Sequence, residues 1–112
     1  MKYVVHRDGA DYTCPVTLFA HETIRRRTHK RPITPSRSQK VHNHSPDGFN
    51  FGYGGSGPAQ LALAIMMDFT NDRELALRLY QDFKRDFIAP MKDPGGEIED
   101  TTIFEWIKRK NK

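Results

Sequence analysis

The segment Ala59-Gln60-Leu61-Ala62-Leu63-Ala64-Ile65-Met66-Met67 constrains this chain more than any other. It is apolar on almost every face of a helix, so it cannot rest on a surface with one side in water. It must run through the middle of the structure with other elements around it. Pro58 stands just before it and reads as the first helical residue, where a missing N–H leaves nothing unpaired. The longest uninterrupted apolar run, Leu61 to Met67, is far short of the ~20 residues that cross a bilayer. Residues Met1 to His6 lack the apolar stretch of a signal peptide. At 112 residues the chain holds enough for one domain with a modest core between two layers. Cys14 has no second cysteine to pair with, which points to a reducing, cytoplasmic setting without membrane contact.

The elements around that helix follow from local pattern. Tyr3-Val4-Val5-His6-Arg7 is β-prone and meets Asp8-Gly9, a hairpin dipeptide, before a second strand within Tyr12 to Phe19. That strand starts after Pro15 or lies at an edge, because proline has no N–H for a ladder. Phe49-Asn50-Phe51 alternates as a short strand. Asn71-Asp72-Arg73-Glu74 reads as an asparagine variant of the capping box, opening a helix with the stripe Leu75, Ala76, Leu79, Tyr80, Phe83 and Phe87 that Pro90 ends. Asp93-Pro94-Gly95-Gly96 reads as a turn. Thr102 and Glu105 cap a final helix anchored by Ile103, Trp106 and Ile107, with Lys108, Arg109, Lys110 and Lys112 where its dipole favours positive charge. The expected fold is α+β: an N-terminal β-hairpin plus a short strand packed on a central buried helix, a second amphipathic helix and a short C-terminal helix, in a single domain over residues 1–112.

The net charge of +4 is unevenly placed. Residues 23–46 hold Arg25, Arg26, Arg27, Lys30, Arg31, Arg37 and Lys40 and no acid, which leaves the rest of the chain net acidic. Hydrophobic periodicity disappears from about 21 to 46, and prolines and serines accompany the basic residues, so this stretch reads as a long basic loop or arm, partly disordered unless an anion organises it. Ile24 to Arg27 reads equally as a strand end or a short helical turn. Arg25, Arg26, Arg27, Lys30 and Arg31 could neutralise several phosphates of DNA or RNA. The plainer alternative is a solvated loop that aids solubility, or one that meets acidic surface on the same or a neighbouring subunit.

Immediately downstream, Gly52-Tyr53-Gly54-Gly55-Ser56-Gly57 matches G-x-G-x-x-G between a strand and a helix. A dinucleotide fold would need a second parallel strand after the helix, with an acid near its end; the next element is instead another helix. Kinase and Walker signatures are missing as well. What remains is generic: glycines let a ligand approach main-chain N–H groups, and a helix start attracts an anion. Gly54, Gly55, Ser56 and Gly57, with Tyr53, Gln60 and His44 beside them, are therefore a candidate phosphate-binding loop. The competing explanation is a tight turn in which Gln60 caps the helix start and the glycines only avoid clashes. Tyr53, Phe49 and Phe51 could stack on a base, although aromatics beside a buried helix commonly belong to the core.

The run His44-Ser45-Pro46-Asp47-Gly48-Phe49, followed by Gly52-Tyr53-Gly54-Gly55-Ser56-Gly57-Pro58-Ala59-Gln60-Leu61-Ala62-Leu63-Ala64, resembles a small domain of phages, bacteria and archaea known as domain of unknown function 6166. A looser similarity extends through Arg78 to Lys84. Phe51 stands where that pattern has tryptophan, and the basic stretch before Val41 is longer than in the pattern, so a function of the arm need not be shared. The resemblance implies a phage or prokaryotic setting and no established activity.

Other chemistry is sparse. His42-x-His44, with His29 nearby, lacks the third and fourth ligands of a metal site. Cys14 reads as a thiol in the core, and Ser56 lies outside any nucleophile motif. Asp68, Asp72, Glu74, Asp82 and Asp86 read as caps and solvated faces. The chain is accordingly expected to be no enzyme and to carry no cofactor or metal. The leading expectation is a binding protein for a phosphate-bearing ligand, a nucleotide or nucleotide signal, held by the glycine loop and neutralised by arginines of the arm. In a phage such a protein would serve as an accessory or counter-defence factor. The alternatives are a nucleic-acid-binding protein working through the arm alone, and an oligomeric protein-interaction module. The first two differ on whether the arginines converge on the start of the central helix.

Overall fold

The computed structural model describes residues 1–11 and 13–110; Tyr12, expected in the second strand, and Lys112, expected at the end of the last helix, lie outside them. Four strands, β1 (Lys2–Arg7), β2 (Val16–Ile24), β3 (Arg27–Pro32) and β4 (Gly95–Glu99), form one antiparallel sheet in the order β3-β2-β1-β4. Alternation along β1 turns Tyr3, Val5 and Arg7 to one face. Leu18, Ala20 and Ile98 join Tyr3 and Val5 in the core. Against it lies α2 (Ser56–Thr70), in which every residue from Gly57 to Met67 is buried. The all-round apolar segment is thus the central helix, as its composition requires. Around it stand α1 (Ser36–Val41), α3 (Arg73–Phe83) with a π-helical turn at Lys84–Ile88, and α4 (Asp100–Lys110). The architecture is α+β.

Several local expectations shift. The first hairpin is closed by residues 8–15 rather than by a tight Asp8-Gly9 turn: Arg7 pairs with Val16, and Asp8 N–H donates to the Pro15 carbonyl at 2.9 Å. Within that loop the Asp11 carboxylate accepts from Thr13 N–H at 2.8 Å, a side-chain turn that absorbs the extra residues. Cys14 is half-buried in the loop, neither in a strand nor in the core. The second strand does begin directly after Pro15.

Phe49-Asn50-Phe51 is irregular rather than a strand; both rings are buried, which produces the alternation, while the Asn50 side chain accepts from Phe51 N–H at 3.0 Å. The short additional strand is β4, where Gly95-Gly96 had read as a turn. Gly95 lies so close to β1 that a Cβ there would stand 2.0 Å from the Val5 carbonyl oxygen, and its φ is +139°. These glycines serve close strand approach.

Helix starts move by one to three residues. α2 begins at Ser56, with Pro58 third in the helix, still inside the first turn where no N–H is needed. Asp72, not Asn71, caps α3, accepting from Leu75 N–H at 3.1 Å, while Asn71 adopts φ 48° and closes α2. α4 begins at Asp100, whose carboxylate accepts from Thr101 N–H at 2.8 Å.

The largest difference lies in the basic stretch, which is folded rather than a free arm. β2 continues to Ile24, Arg25-Arg26 make a two-residue turn, β3 returns along β2, and α1 follows. Thr23, Ile24 and Thr28 supply β-propensity, and two acids, Glu22 on the facing strand and Asp68 on α2, bind Arg31 and relieve the self-repulsion on which the expectation of disorder rested. Among the described residues no helix is long and apolar enough to cross a membrane.

Candidate functional site

Gln60 organises the approach to the glycine loop. Its side chain is fully buried, its Oε1 accepts from His44 N–H at 2.8 Å and Ser45 N–H at 3.1 Å, and its Nε2 donates to Ser38 Oγ at 2.9 Å and the His42 carbonyl at 3.1 Å. That uses all four of its hydrogen-bonding positions. Gln60 therefore neither caps the helix start nor faces a ligand; it fastens residues 38–45 to α2. His44 is held by the same device, and its Nε2 lies 2.6 Å from the Tyr80 hydroxyl while its ring stacks on His42 at 3.9 Å.

The glycine loop borders an open cleft of about 580 Å³ whose walls include Thr13, Cys14, Pro35, Asp47, Tyr53 and Ser56. Among the described residues nothing accepts from the backbone N–H of Ser56 or Gly57, and no side chain caps Gly55. The glycines also have packing reasons: a Cβ on Gly55 would stand 2.4 Å from the Tyr53 ring, and one on Gly57 would stand 2.6 Å from Asn50 Cβ. Gly54 meets nothing within 4 Å. Lys84, thirty residues away in sequence, donates to the Gly54 carbonyl at 3.3 Å, a neighbour that no local pattern could have revealed.

The arginines do not reach this loop. Arg31 forks onto Asp68, with contacts of 2.7 and 3.0 Å, and onto Glu22, with contacts of 3.1 and 2.8 Å. Asp68 sits near the far end of α2, about 18 Å along the axis from Ser56. Burial pushes the Asp68 carboxyl up, but the hydrogen bonds from Arg31 and from Tyr3 outweigh it and hold it below the usual carboxylate value. Arg31 thus serves as an internal tie. Arg25, Arg26, Arg27 and Lys30 are exposed, and among the described residues no acid pairs with them.

Arg25, Arg26 and Arg27 lie on a two-stranded ribbon, with Lys30 opposite His21 at its base. β1 joins the sheet at Lys2 opposite His21, so the pairs Glu22 with His29, Thr23 with Thr28 and Ile24 with Arg27 extend beyond it, an overhang of about 10 Å. At its tip Arg25 and Arg26 have φ values of 52° and 68°. Two-residue hairpin turns with positive φ at both positions favour Asn-Gly, and arginine there is strained.

No group of three or more His, Cys, Asp or Glu side chains among the described residues is placed to hold a metal ion. Burial, then the neighbouring His42 and Lys84, hold the His44 imidazole below its ordinary value. A histidine with a depressed folded-state pKa favours folding fully above its ordinary value near 6.5, and that contribution declines as pH falls below it. Urea denaturation between pH 8 and 5 should therefore show stability declining with acidification, and His44→Gln should flatten the decline; an unchanged slope in the variant would exclude His44 as its source.

No curated protein and no solved structure matches the chain. A family model, described as a family of unknown function (DUF6166), matches residues 18–109, a span that takes in the basic ribbon, the Gln60 network, the glycine loop and all of α2 to α4 but the last residue of α4. On that coverage the chain belongs to DUF6166, a family of unknown function.

Proposed function

We propose that the protein is a non-enzymatic binding module that contacts nucleic acid through the β2–β3 ribbon. The observation that carries this reading is the turn itself. A ribbon tip whose backbone favours Asn-Gly instead carries Arg25-Arg26, followed by Arg27, all exposed and without acidic partners among the described residues. Basic side chains along the exposed edge of β3 would also discourage strand-to-strand aggregation. Edge protection, however, does not require arginine at two strained turn positions. A two-stranded ribbon fits the major groove of duplex DNA, and each arginine or lysine on a phosphate releases counterions. With Arg25, Arg26, Arg27 and Lys30 engaged, log K should fall with log salt with a slope of about −3 to −4.

The double substitution Arg25→Asn with Arg26→Gly separates fold from function. It should raise stability by about 1 kcal/mol, because it relieves the turn. At the same time it should weaken duplex binding and make the salt slope shallower by about 2, measured by fluorescence anisotropy. Affinity and slope equal to wild type would reject the ribbon as the contact.

A second reading is favoured by the N–H groups of Ser56 and Gly57, with which nothing among the described residues pairs: a phosphate-bearing small molecule held at the start of α2 in the cleft beside Tyr53. It does not draw on the ribbon arginines. Inorganic phosphate and nucleoside monophosphates should then raise the melting temperature of wild type. Ser56→Asp, which puts a carboxylate at the helix start, should abolish the effect; no protection of wild type removes this reading.

A further inference from the structure

Arg7 is the charged side chain the fold buries most deeply. It follows Tyr3 and Val5 on the inward face of β1 and is 3% exposed. Its guanidinium donates to the Asp93 carboxylate, to Asn50 Oδ1 and, at 3.4 Å, to the Phe51 carbonyl, and it lies 4.1 Å over the Phe51 ring. Its Nε finds no hydrogen-bond partner among the described residues.

The ion pair is lopsided. Arg7 is dry, whereas the Asp93 side chain is 60% exposed. Beside them lies an open cavity of about 650 Å³, walled by Arg7, Phe51, Tyr53, Met91, Lys92 and Asp93. That volume falls within the range of small-molecule sites, and aromatic and thioether walls with a few charged groups match their usual lining. An exposed carboxylate can move into water at little cost. An incoming anion, by contrast, meets a guanidinium whose desolvation the fold has already imposed.

From this we infer that the cavity binds a small organic anion with a flat apolar body. The carboxylate or phosphate of the ligand takes the place of Asp93 on Arg7, and Lys92 adds a second positive charge at the rim. The flat body lies against Tyr53 and Met91, which favour planar, polarisable partners. The site is independent of the ribbon, and it differs from the cleft at the start of α2, which holds no arginine.

Asp93 is a built-in competitor in this arrangement: the pocket is open to an anion only in the fraction of molecules whose Asp93 has swung away, and apparent affinity is reduced by that fraction. The test titrates benzoate, phenyl phosphate, inorganic phosphate and benzyl alcohol into wild type and Asp93→Asn, reading heat and the Arg7 side-chain N–H resonance. Asp93 is largely exposed and asparagine keeps an oxygen that can accept from Arg7, so the variant removes the competing charge without emptying a buried position. Benzoate and phenyl phosphate should shift the Arg7 signal, and Asp93→Asn should bind both about fivefold or more tightly. Arg25→Asn with Arg26→Gly should leave the binding unchanged. Benzyl alcohol should not bind, and inorganic phosphate should bind more weakly than phenyl phosphate. The proposal is overturned if neither organic anion binds either protein up to about 10 mM. It is equally overturned if Asp93→Asn does not tighten binding, or if benzyl alcohol or inorganic phosphate does as well as the organic anions.

Discussion

Gln60 makes four hydrogen bonds from inside the core, and the course of the chain between β3 and the glycine loop depends on them. A buried amide is costly unless it is satisfied, and this one is satisfied only when Ser38, His42, His44 and Ser45 all stand where they do. The network therefore fixes one arrangement of α1 and the following loop against α2. The His44–Tyr80 contact extends the same tie to α3. A single polar residue within the buried run of α2 fastens the segment from Ser38 to Ser45 into ordered structure.

A second tie acts at the opposite end of α2, where Tyr3 and Arg31 meet on Asp68. Together the two ties decide what the charged segment can do. Arg31 is committed to the fold, Arg37 lies on α1 and donates to Asn71, and Arg25, Arg26 and Arg27 are carried outward on the ribbon, away from the helix start. One composite site, with glycine loop and arginines around a single phosphate, is not assembled. In its place the molecule presents separate surfaces: a basic ribbon, a cleft beside the glycine loop, and a cavity over Arg7.

Much of the fold was legible in the sequence because it rests on local rules. The all-round apolar segment became the central helix, Pro15 marked the start of β2, and the stripe from Leu75 to Phe83 became α3. What escaped depends on pairing at a distance. The stretch from Glu22 to Pro32 has no apolar alternation, and its order comes from β2–β3 pairing and from Arg31, which bridges Glu22 to Asp68 far along the chain. Gly95-Gly96 looked like a turn because its reason, close approach to Val5, lies on another strand. Gln60 was noticed at the right place, but its partners lie upstream of the loop rather than at the helix start. Arg7 did leave a signal: strict alternation after Tyr3 and Val5 points it inward, and an inward arginine in a small core demands an explanation.

Hydrogen exchange at the backbone amides of His44 and Ser45 tests the central role of Gln60 most directly. Both lie in a loop with no secondary structure of its own, so local sequence predicts fast exchange there. If Gln60 holds them as described, both amides exchange only through unfolding that frees α1 from α2, and their protection approaches that of the core of α2. Exchange at the rate of an open loop, with α2 still protected, would contradict the account.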